Sequence, residues 1–167
     1  MNESSIPIVP ILQAIATIAP AIYTAKQWLQ AYQFAPIFVA PLILSGASTN
    51  VLLAYLCNDQ SSSARLLYAV AGLVNASIIP YTALYMEPGV NGAGKWKAQE
   101  ILRDESVVLK GAGQGTDKDT ASEAAKKWAE KVDMKTIAET WARTNAWRYV
   151  ITAVATVISA TATVMQH

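Results

Sequence analysis

Arg148, Asn145 and Trp141 are the residues of this chain whose type and spacing most invite chemistry. Positions 141, 145, 148 and 152 step by four, three and four, so Trp141, Asn145, Arg148 and Thr152 share one face of a helix. The helix that carries them enters a charge-free stretch, 149–167. An arginine at the mouth of such a stretch is costly unless it reaches headgroups or an internal acceptor. Two readings therefore stand side by side: an interfacial anchor, or a cation that stabilises a developing oxyanion. A second polar group, Tyr81, Thr82, Tyr85 and Asn91, surrounds Pro80 and Pro88, where proline interrupts the backbone ladder. It fits a pocket mouth, and it equally fits a broken helix end with interfacial tyrosines. Asn50 and Asn75 lie deeper in apolar sequence, where an amide needs a partner, either a neighbouring helix or a bound molecule.

Other chemistries are excluded by what the 167 residues lack. One cysteine, Cys57, and one histidine, His167, permit no internal disulfide, no Cys-rich metal site and no histidine cluster. A haem, iron or copper centre would be without its usual ligands, so the reading is of no metal and no cofactor. The glycines of 111–115 have no preceding strand and no Lys-Ser/Thr ending, so they read as a flexible loop and not as a phosphate cradle. With 13 basic and 12 acidic side chains, bulk charge points to no nucleic-acid partner.

Charge distribution is more informative than charge balance. Outside 87–148 the only formally charged side chains are Glu3, Lys26, Asp59 and Arg65. The mean hydropathy of +0.25 thus averages greasy flanks with a polar insert. Four stretches without charge, 4–25, 27–58, 66–86 and 149–167, approach or exceed the roughly 20 residues needed to span about 30 Å of hydrocarbon. The expectation is an all-α membrane protein, a four-helix bundle with spans near 7–26, 34–57, 65–87 and 142–165. Glu3, the lack of an early basic residue, and Pro7, Pro10 and Pro20 argue against a secretory leader.

Small residues, Ser45 to Ser48 in the second span and Ala69, Ala71 and Gly72 in the third, favour close helix approach. Between the third and fourth spans, 88–140 reads as a soluble insert. Thr120 and Glu123 have capping-box spacing, and Ala124, Trp128, Val132 and Met134 outline the apolar side of a surface helix leading into the last span. Lys26 and the eleven basic residues of 87–148 lie on one side of the expected bundle and Arg65 on the other, which turns the insert toward the cytosol.

Taken together, Gln27-Trp28-Leu29-Gln30-Ala31-Tyr32, Pro80-Tyr81-Thr82, Met86-x-Pro88-x-x-Asn91 and Trp141-x-x-x-Asn145-x-x-Arg148 resemble the anthrone oxygenase-like family of small four-helix membrane proteins. That family often has adjacent asparagines after the Met-x-Pro turn, where this chain has Gly89, Val90 and Asn91. The resemblance implies secondary metabolism in the endoplasmic reticulum: a polyketide-derived anthrone oxidised to an anthraquinone by dioxygen, with no recognised cofactor. Arg148, Asn145 and Tyr81 would then be catalytic, and Trp141, Thr82, Tyr85, Asn91, Asn75 and Asn50 would bind an apolar aromatic substrate. Glu87, Tyr85 and Tyr81 are candidate bases by position. Two other functions fit the same residues: a cofactor-free cyclase or isomerase that stabilises an enolate, and a non-catalytic scaffold, with itself or with pathway enzymes, working through the insert.

Overall fold

The structure, a computed structural model, describes residues 8–57, 62–103 and 118–166. Their regular elements are helices: α1 (Ile8–Leu56), α2 (Ser62–Ala76), α3 (Ile78–Pro80), a π-helical segment (Tyr81–Asn91), α4 (Gly92–Ile101), α5 (Glu123–Lys131) and α6 (Met134–Val164). Among the described residues three runs are long and apolar enough to cross a membrane, Leu12–Leu56, Ser63–Ile101 and Met134–Val164.

The two expected N-terminal spans, 7–26 and 34–57, are one uninterrupted 49-residue helix. At 1.5 Å per residue it is about 74 Å long, more than twice the hydrocarbon thickness. The polar interval 27–33 changes the solvent preference of the helix without breaking it, for it holds neither glycine nor proline. Trp28 and Tyr32, one turn apart, bury their rings against α4 and the start of α6, and continuing the helix is what keeps them on one face.

The third expected span, 65–87, is also longer than its sequence suggests. After α2 the chain bends at Ser77, and Pro80 and Pro88 are absorbed where termination was expected. Wider π-type turns take up residues 81–91, with the kink at Gly89 (φ −96°, ψ −111°), and the rod continues directly into α4. What the sequence marks as a detachable insert, 88–140, is therefore partly the extension of a spanning helix. α5 lies on that extension, and Met86, Val90 and Ala93 form one core with Ala125, Ala129 and Ile137.

Two local expectations need correction. Ser122, not Thr120, caps α5 by accepting from the Ala125 N–H at 3.2 Å, and while Trp128, Val132 and Met134 do pack inward, Ala124 is exposed and Ala125 and Ala129 are buried in its stead. The last span starts at Met134, capped by Asp133, eight residues before the expected 142. The loop expected at 111–115 lies outside the described residues.

Close approach at small residues holds the apolar half together. A Cβ on Gly46 would meet Asn75 Nδ2 at 2.5 Å, and one on Gly72 would meet Val51 Cγ2 at 3.3 Å. α2 packs along both α1 and α6, and these two touch each other less, so a groove opens between them. At the far end Tyr68 Oη and Thr163 Oγ1 share a hydrogen bond of 2.9 Å, and Gln166 Nε2 donates to Cys57 Sγ at 2.8 Å.

Candidate active site

The groove is widest where α6 carries its polar stripe. A cavity of about 820 Å³ is walled by Asn50, Asn75, Trp141, Asn145, Arg148 and Thr152 over an otherwise mostly apolar lining. A second, of about 430 Å³, is walled by Tyr32, Thr82, Glu87 and Asn91. Trp141 and Arg148 belong to both walls, with Ala35, Val39, Ile43 and Ile78, so the cation and the indole stand where the two spaces meet. Both volumes lie in the range of small-molecule sites.

Helix periodicity aims these groups. Asn145 Oδ1 accepts from Arg148 Nη1 at 3.0 Å, an i,i+3 contact that orients the guanidinium. Among the described residues this is its hydrogen-bond partner, and no carboxylate lies within ion-pair distance. Trp141 meets Trp28 edge to face, with centroids 6.2 Å apart, and Trp28 stacks on Tyr32 at 5.2 Å. That aromatic row fixes the indole wall.

Asn75 Nδ2 donates to the Ile43 carbonyl at 3.2 Å, tying α2 to α1, while Asn50 Nδ2 donates to Gly46 O one turn back in α1. Asn75 thus serves the bundle as well as lining the cavity, while the Asn50 bond stays within its own helix. Asn50 Oδ1 and Asn91 Oδ1 are buried without a partner among the described residues. Thr82 donates to Ile78 O at 2.8 Å and lines the smaller cavity.

Tyr81 and Tyr85 line neither of these two cavities, although Tyr81 packs against the same core cluster as Trp141. Their rings stack on each other with centroids 5.4 Å apart, and the Tyr81 hydroxyl donates to Thr144 O at 2.9 Å. They line a separate depression with Arg143, Thr144 and Trp147. α-Helical spacing would carry Tyr81 and Tyr85 with the next turns; the π-type turns of 81–91 rotate them away from Thr82 and Asn91.

Glu87, a candidate base by position, proves to be the hub of a polar centre whose partners Lys95, Tyr32 and Thr120 sequence reasoning missed. Its carboxylate accepts from Tyr32 Oη (2.8 and 3.0 Å), Asn91 Nδ2 (2.8 Å), Lys95 Nζ (2.6 Å) and Thr120 Oγ1 (3.1 Å). Lys95 is wholly buried, and its ammonium also faces the Tyr32 ring at 5.5 Å. Thr120, expected as a cap, instead bridges the Glu87 carbonyl and carboxylate. A signal was present: Glu87, Asn91 and Lys95 step by four and so share a helical face. Nothing in sequence pairs Thr120 or Tyr32 with them. Among the described residues no three His, Cys, Asp or Glu side chains gather as a metal site.

Residues 28–158 match the family model described as anthrone oxygenase, more than half of the chain, and the chain belongs to that family. The match begins at Trp28 and takes in every residue of the smaller cavity and all of the larger except Ser159, Ala160 and Thr163. No curated protein and no solved structure matches the chain.

Proposed function

From membership of the anthrone oxygenase family, we propose that this chain is a membrane-embedded oxygenase of secondary metabolism, acting without a cofactor on a polyketide-derived aromatic of the anthrone type. The observation that carries this reading is Arg148, a guanidinium without a carboxylate partner among the described residues, at the junction of two apolar cavities. In low-dielectric surroundings such a cation favours the ionised form of a bound phenol or enol. Ionisation places electron density on the ring carbon opposite the oxygen. Dioxygen takes that electron pair, forming a carbon–oxygen bond, and the resulting peroxide takes up a proton. Loss of water then leaves a carbonyl, so that CH2 and O2 become C=O and H2O, and the substrate supplies all the electrons. Asn145 holds the guanidinium, and Trp141 offers a flat wall to the ring system.

The test is expression with a candidate anthrone under oxygen-18 gas. One labelled atom is expected in the new carbonyl, and Arg148→Ala at equal protein level is expected to lose the product. Normal product formation by that variant overturns the assignment. Oxygen uptake separates this reading from a cyclase or isomerase.

The same reading extends to topology. The polar end of the bundle faces the cytosol, and the membrane is the endoplasmic reticulum. Packing of Trp28 beside α4 supports this, since it brings Lys26 to the end of the bundle that holds most of the basic residues. Protease or tag accessibility at 104–117, from either side of sealed vesicles, checks the orientation.

A further inference from the structure

The smaller cavity has charge of opposite sign on its walls: Arg148 on α6 and the Glu87 carboxylate on the kinked rod. Resting on the function proposed above, we propose that Glu87 is a specificity-determining residue that reads a free hydroxyl on the substrate, while Arg148 holds its anionic oxygen. A carboxylate offers roughly four lone-pair sites and accepts only. On Glu87 Oε1, Lys95, Tyr32 and Thr120 converge at 2.6, 2.8 and 3.1 Å. Oε2 takes Asn91 at 2.8 Å and only the longer branch, 3.0 Å, of the Tyr32 contact. With the tyrosine proton settled on the nearer oxygen, Oε2 keeps one open acceptor site, and the Glu87 side chain is 23% exposed on a cavity wall.

Asn91 Oδ1 sits alongside, on a residue 3% exposed, with no partner among the described residues. Its amide cannot turn round, because Nδ2 is committed to the carboxylate. This end of the cavity therefore has acceptors in excess of donors. A hydroxyl supplies what is missing, whereas an ether of the same outline brings a further acceptor and leaves the carboxylate unmatched. Sites built to hydrogen-bond a hydroxyl reject analogues that lack it far more strongly than apolar pockets reject an extra methyl group.

The experiment uses detergent-solubilised full-length protein and two non-reacting ligands, a hydroxyanthraquinone and its O-methyl ether, with binding read by quenching of tryptophan fluorescence, Trp141 being on the cavity wall. The hydroxy compound is expected to bind at least about tenfold more tightly. Glu87→Gln, whose amide donates as well as accepts, is expected to bring the two affinities within about twofold. Because that variant strands Lys95, the paired Glu87→Gln, Lys95→Gln variant is measured too, with the same expectation. Equal binding by the wild type, failure of both ligands to bind, or an unchanged ratio in either folded variant overturns the proposal. Since no oxygen is consumed, a fully active Arg148→Ala would sink the oxygenase reading while leaving the hydroxyl-to-ether ratio to be judged by itself.

Discussion

The polar end of the molecule and its apolar shaft obey opposite packing rules. Around α4, α5 and the middle of α1 the interior is where water would lead one to look: Lys95 is 0% exposed against its carboxylate, and Ala93, Ala129 and Ile137 are sealed. Along the shaft, large aliphatic side chains point outward, Leu73 72% and Val157 65% exposed, while glycine, alanine and asparagine lie against the neighbouring helices. Hydrocarbon outside removes the reason to bury leucine and puts a premium on close backbone approach. Arg148 stands at the seam, which is where a cation is both tolerable and effective.

Substitutions at the seam and in each half should separate these rules. Arg148→Ala is expected to lower turnover by about 10²–10³-fold, as loss of one oxyanion donor does, with unchanged membrane insertion; product per unit of protein is the measurement. In the polar end, Lys95→Met leaves the Glu87 charge without its counter-ion and should cost about 3–5 kcal/mol, read by denaturation in mild detergent. Gly46→Val tests the shaft. Its Cβ has no room beside the Asn75 amide, so that amide must leave the Ile43 carbonyl or α1 and α2 must part, at about 1–3 kcal/mol, with a lowered thermal midpoint.

The smallest effect belongs to the α6 cap. Hydrogen bonds from the Thr136 side chain and N–H hold the Asp133 carboxyl below its usual range. Its contribution is fully present above the unfolded value of about 3.9 and disappears as pH falls through the lowered folded value. Stability curves of wild type and Asp133→Ala should therefore differ at neutral pH and converge in strong acid. A constant gap would place the effect elsewhere.

Much of the site was legible because one helix carries it. Trp141, Asn145 and Arg148 need only the 3.6-residue period to share a face, and the structure keeps them together on the larger cavity. Tyr81 and Tyr85 line a separate depression, which the same reasoning could not foresee because the period itself changes through 81–91. Lys95 escaped notice because a lysine in a polar stretch reads as solvated, and only the approach of α1 and of Thr120 makes it internal.

What the sequence determined alone is the helical class, the two solvents and the face that bears Arg148, all of which follow from composition and local period. Whether a helix stops at a polar interval or a proline was decided by tertiary packing, because Trp28, Tyr32 and the residues after Pro88 gain burial only if the backbone runs on. The Glu87 centre is only half local: Asn91 and Lys95 follow it at steps of four, but Tyr32 and Thr120 come from separate segments, and packing alone brings them to the same carboxylate.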